Sequence, residues 1–149
     1  MSSSFFKNMM NVYPPFIGTG ISVSKINSDY TQITVQMKFT WYNRNYVGTQ
    51  FGGSLYSMTD PFYMLMFMKN LGSEYIVWDK GATIDFRKPG KSVVHADFAI
   101  TPELLNTVLE KTSTGEKYVF DLPVDVYNDA KEIIAHVTKT IYIKKKPQT

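Results

Sequence analysis

Residues 61–68 read PFYMLMFM, the longest uninterrupted apolar run in the chain. A helix of that composition has no wet face, so it must be covered on most sides. The run is far shorter than the roughly 20 residues of a membrane span, so the cover has to be protein. Strand signals around it supply that cover. In the stretch GISVSKINSDYTQITVQMKFTWY, two strands flank an Asn-Ser-Asp turn. Ile33, Val35, Met37, Phe39 and Trp41 alternate with Thr34, Gln36, Lys38 and Thr40. A period of two puts one face of a strand in a core and the other in water.

More strands are signalled by YIVWDKGATIDFRKPG, SVVHADFAI, YVFDLPVDVYN and EIIAHVTKTIYI, the last two joined at Asn128-Asp129. TPELLNTVLEK reads as a short helix with Thr101 as cap and Pro102 in its first turn. Residues 4–16 read as a short helix stopped by Pro14-Pro15. A loop from Asn43 to Gly53 precedes the apolar helix, which runs to about Asn70 and stops at Leu71-Gly72. Its start is open. It can begin at Asp60, as a cap before a first-turn proline, with 53–59 a separate turn. It can also begin at Gly53, with Pro61 kinking it by removing the bond to Ser57. Short connections favour an antiparallel sheet. The expected fold is α+β: one domain, 1–149, with five to six antiparallel strands wrapped around one long apolar helix.

Of the 149 residues, 44% are apolar, enough for a sizeable core, and 19% are charged, too few for a disordered chain. There is no cysteine, so disulfides, thiolate nucleophiles and zinc-finger ligand sets are excluded. His95 and His136 are the only histidines, without HxH or HxxxH spacing, so no metal site is expected. The start, MSSSFFKNMMNVYPPFIGTG, lacks the basic end and long apolar stretch of a signal peptide. A soluble, cytoplasmic protein is expected, with no membrane partner. The net charge is +3, and the one dense basic run is Lys144-Lys145-Lys146. No basic motif is interleaved with aromatics, so nucleic acid is not expected as a partner.

Chemistry points to residues 43–60, NRNYVGTQFGGSLYSMTD. Gly52-Gly53 open a helix, where N–H groups lack intrahelical partners and the dipole is positive. Glycine there lets a carbonyl approach without a Cβ in the way. Asp60 follows, beside Phe62, Tyr63 and Met64, where an apolar channel and a base could share one wall. Asn45 and Gly48 also suit a turn, and Thr83 suits a strand. DFRKPGK offers Arg87, Lys88 and Lys91 around a turn, with Lys80 nearby, as a solvated turn or a clamp for phosphates. Asp85 shares a strand face with Thr83.

Asn45-x-x-Gly48-x-x-Phe51-Gly52-Gly53, with Asp60 beyond it and the strand ATIDF after that, resembles the phenylacetyl-CoA-thioesterase-like branch of the hotdog fold. The stretch VGTQFGGSLYSMTDPFYMLM…YIVWDKGATIDFRKPG resembles, more narrowly, a branch of hotdog proteins of unknown function or acyl-CoA thioesterases. The resemblance covers essentially the whole chain. It implies hydrolysis of an acyl thioester by a homodimer or dimer of dimers. No cofactor is implied beyond the coenzyme A of the substrate. It places the site between two subunits. Asn45 would orient the thioester carbonyl or the water, and the Gly52 N–H would face the carbonyl oxygen. Asp60 of the other subunit would be base or nucleophile, with Thr83 assisting. Gly48, Phe51, Gly53, Arg87 and Lys88 would contact substrate. Two departures stand out: Phe51 occupies a position where many relatives carry histidine, and Pro61 follows the acid. Phe51 favours a second reading, a non-catalytic hotdog domain that binds an acyl or aromatic ligand. A hydratase would want an Asp–His pair, and no histidine lies near Asp60 in sequence.

Overall fold

The computed structural model describes residues 2–147. In chain order the elements are α1 (Ser3–Asn11), α2 (Pro14–Ile17), β1 (Ile21–Ile26), β2 (Gln32–Met37), α3 (Gly52–Ser57), α4 (Phe62–Leu71), β3 (Tyr75–Phe86), β4 (Val94–Ala99), α5 (Pro102–Thr112), β5 (Lys117–Asn128) and β6 (Ile133–Lys145). The six strands form one antiparallel sheet in the order β1-β2-β4-β5-β6-β3. This is the hotdog arrangement, with the helical segment 52–71 packed against the sheet.

The alternating pattern is realised as expected. Ile33, Val35 and Met37 of β2 face the core with Val94, Ala96 and Phe98 of β4. β2 ends at Met37, however, and Trp41 lies in the following turn, 83% exposed. The apolar run becomes α4, and its rings interleave with those of the sheet. Phe62 meets Phe98 at 5.1 Å between centroids, and Phe67 meets Phe120 at 5.6 Å, edge to face. Tyr63 donates its O–H to the Pro123 carbonyl at 2.9 Å, and burial pushes its phenol up to about 12. Pro123 falls where β5 has no β4 residue beside it, so its missing N–H breaks no bond on that side. Phe62→Ala is expected to cost about 3–5 kcal/mol by urea denaturation, since its fully buried ring also meets Phe16.

Prolines shape the helical parts in ways their positions alone left open. Pro14 and Pro15 do not merely stop a helix: they open α2, where a missing N–H is harmless. Pro61 divides the expected long helix into α3 and α4. Neither of the two expected starts holds entirely. The helix begins at Gly52, yet it breaks at 58–61, and the Asp60 side chain caps nothing.

The two sheet edges differ. Along β1, α1 covers the edge: the Asn11 amide donates to Val23 O at 3.2 Å and accepts from Val23 N at 2.7 Å, and Lys7 Nζ donates to Ser24 O at 2.7 Å. β3 forms the other edge and has only β6 beside it. No helix among the described residues is long and apolar enough to cross a membrane.

Candidate active site

The loop between β2 and α3 is built on amide side chains. Asn43 is buried; it accepts from Thr40 N and donates to Thr19 O and Lys38 O. Asn45 Oδ1 accepts from Val47 N at 3.1 Å and from Thr49 N at 3.0 Å, and its Nδ2 donates to Thr49 Oγ1 at 2.8 Å. The Asn45 amide is thereby turned into its own loop. Gly48 has φ +77°, a left-handed conformation that the turn requires and glycine adopts freely.

This loop, the first turn of α3 and the end of β3 border an open cavity of about 460 Å³. Asn45, Gly52, Leu55, Phe86, Arg87 and Lys88 are among its walls. At Gly52 a Cβ would lie 2.9 Å from the outer end of the exposed Phe86 ring, so a side chain there would push that ring aside. No described residue accepts from the N–H of Gly52 or Gly53, whereas Ser54 and Leu55 N–H already bond to Phe51 O. α3 has only six residues, so its dipole is weaker than that of the long helix expected from sequence. At the mouth, Arg87 pairs with Asp85 at 2.8 Å, and Lys88 with Glu132 at 2.7 Å. The Lys88 hydrogen bond holds the Glu132 carboxyl below its usual range. All four side chains are exposed, so these pairs are weak and can be exchanged for another anion. Phe51 and Gly53 line a second cavity of about 400 Å³, with Tyr42, Arg44 and Ser57.

Asp60 and Thr83 line neither cavity. Asp60 lies beyond the far end of α3, on the order of 10 Å along the helix from Gly52. Its surroundings are not the apolar ones expected from its sequence neighbours. Its Oδ1 accepts from Tyr56 O–H at 3.1 Å and from Lys139 Nζ at 3.2 Å, and 53% of its side chain is exposed. Thr83 pairs across strands with Thr138, on the face opposite to the pair formed by half-buried Ala82 and buried Lys139. The sheet therefore separates Thr83 from Asp60 within one chain. The two histidines also lie elsewhere: His95 meets Asp129 and His136 meets Asp125.

Four polar residues were missed by sequence reasoning: Lys139, Asp79 and Tyr56 around Asp60, and Gln50 at the cavity. Lys139 is fully buried, with Nζ 2.5 Å from Asp79 Oδ2 and 4.9 Å from the centre of the Tyr56 ring. The Lys139 ammonium is in direct contact with the Asp79 carboxylate and acts on it both as a hydrogen-bond donor and as a charge. Burial pushes the Asp79 carboxyl up, and the ammonium pulls it back only in part. Burial alone would lower the Lys139 ammonium; Asp79, then Asp60, outweigh that and leave it raised. Gln50, also buried, donates to Lys38 O and Ser92 O at the cavity wall. A signal for Lys139 was present: it interrupts the apolar alternation Val137, Ile141, Ile143 of β6.

The fold defines the class: this is a hotdog protein. The chain belongs to the family described as Domain of unknown function (DUF4442), which matches residues 2–143. Among solved structures it is similar to a Pseudomonas aeruginosa protein of unknown function titled a probable thioesterase, with TM-score 0.87, 14% identity and 97% of each chain covered. It is similar to a Haemophilus influenzae thioesterase (EC 3.1.2.-), with TM-score 0.69, 12% identity, and 99% and 94% of the two chains covered. It is also similar to the E. coli PaaI protein of the phenylacetic acid degradation operon, with TM-score 0.62, 17% identity, and 95% and 91% covered. No curated protein sequence matches it.

Proposed function

We propose that the protein hydrolyses an acyl thioester, with coenzyme A as part of the substrate. The observation that carries this reading is the cavity itself. It has an apolar wall in Leu55 and Phe86, exposed cations Arg87 and Lys88 at its mouth, and the first turn of α3 at Gly52. An acyl chain, a nucleotide's phosphates and a developing oxyanion would each meet a matching surface.

In the reaction, water oxygen bonds to the thioester carbon while its proton passes to the Asp60 carboxylate. The carbonyl electrons move onto oxygen, where the Gly52 N–H donates. Collapse breaks the C–S bond, and the leaving thiolate takes up the proton. Acting as nucleophile, Asp60 would instead form a mixed anhydride that water cleaves. Asp60 is too far along the helix to serve the cavity of its own chain, so a second copy supplies it. The uncovered β3 edge is where two sheets can continue into one another. Thr83, on that strand, would assist only from the partner, and Asn45 would act chiefly by holding the loop.

The test is thiol release from acetyl-, octanoyl-, palmitoyl- and phenylacetyl-CoA, with light scattering for mass. Turnover of at least one by a species of twice the chain mass is expected. Tight binding without turnover of any would favour the non-catalytic reading, to which Phe51 points. The double variant R87A/K88A is expected to raise KM about tenfold with kcat little changed. The effect should fade as salt rises.

A further inference from the structure

Burying an ammonium is unfavourable unless it is paired, and one carboxylate is enough to pair it. Lys139 has two. Asp79 Oδ2 at 2.5 Å already neutralises it inside the fold. The second contact, to Asp60 at 3.2 Å, reaches a half-exposed carboxylate that water could solvate as well. That contact is surplus to folding, and its geometry is selective. Both Lys139 Nζ and Tyr56 O–H land on Oδ1 of Asp60, and no described residue donates to Oδ2. One oxygen is clamped and the other is left with its lone pairs free.

The clamp depends on an irregularity in β3. A bulge between Asp79 and Gly81 places Asp79 and Ala82, three residues apart, on the same inner face. Asp79 thereby lies diagonal to Lys139, and Ala82 lies directly opposite it. A small residue opposite leaves the lysine room to extend toward the α3–α4 break, which holds Asp60.

We infer that Lys139 is a positioning residue, which grips Oδ1 of Asp60 and turns Oδ2 toward the substrate, with Asp79 as its buried counterion. This rests on Asp60 being the base. The groups facing Asp60 are Lys139 from β6, Tyr56 from α3 and, behind them, Asp79 from β3.

The experiment compares kcat and KM of D79N/K139Q, Y56F and D60N with the parent, using the best acyl-CoA of the panel and thermal melting on the same preparations. D79N/K139Q removes both buried charges together, so the fold is not left with an unpaired one. Y56F removes the other donor to Oδ1 of Asp60. Each of these two is expected to lower kcat about tenfold with KM unchanged, because a misaimed base slows the chemical step without weakening substrate binding. A merely structural lysine would leave kcat alone in a variant that melts like the parent. Parent-like kcat in folded D79N/K139Q overturns the inference, and if that variant does not fold, parent-like kcat in Y56F does. Activity retained by D60N would instead sink the reading of Asp60 as base.

Discussion

Replacing Asp60 with asparagine is expected to lower kcat for thioester hydrolysis by about a hundred- to ten-thousand-fold, the usual contribution of a general base. Asparagine keeps the shape and can still accept from Tyr56 and Lys139 at Oδ1. The fold should hardly notice. The lost charge belonged to a half-exposed carboxylate, whose ion pair contributes at most about 1 kcal/mol after solvent screening. Thiol release and thermal melting on the same preparation check both halves. Turnover within a few-fold of the parent would end the assignment of Asp60 as base or nucleophile.

Lys139→Met is expected to act in the opposite sense, mainly on stability. Methionine fills the buried space but leaves Asp79 without its counter-charge, and breaking a buried pair from one side costs about 3–5 kcal/mol. The loss should depend on pH. Burial already raises the Asp79 carboxyl, and without Lys139 it would rise further. A native state that holds this proton more tightly than the unfolded chain loses stability as pH rises through the raised value. The deficit of Lys139→Met should therefore shrink on acidification into the ordinary carboxylate range and grow as pH rises through the raised value. In the parent, the raised Lys139 ammonium contributes stability across the neutral range, lost only as pH climbs through its folded value. Urea denaturation at several pH values reads both trends; a deficit independent of pH would contradict them.

Much of the architecture could be read from local pattern. The β2 alternation, the capping of α5 by Thr101 and the Asn128 turn each depend on residues close in sequence. In the structure Thr101 Oγ1 accepts from Leu104 N at 3.1 Å, and Asn128 Oδ1 accepts from Glu132 N at 3.0 Å. The apolar run 61–68 demanded cover, and the curled sheet provides it. Gly48 and Gly52 were legible as backbone devices; the structure gives Gly48 its left-handed conformation and sets Gly52 beside Phe86, a neighbour that sequence spacing did not show. Less legible was the break at Pro61. A proline can start a helix or divide one, and the energy that decides lies in packing around it.

The sequence by itself determined an antiparallel sheet around an apolar helix, a polar turn before that helix and an acid beside it; the hotdog class came from the resemblance of its motifs. The first three follow from periodicity, turn chemistry and composition, all short-range. Only the tertiary structure decided that Asp60 is gripped by a buried lysine, that Asp79 neutralises that lysine, and that Thr83 faces the other side of the sheet. Strict alternation would put Asp79 and Ala82 on opposite faces. One extra residue in β3 reverses this, and the residues it brings together, Tyr56, Asp79 and Lys139, come from α3, β3 and β6, where sequence spacing carries no information about contact.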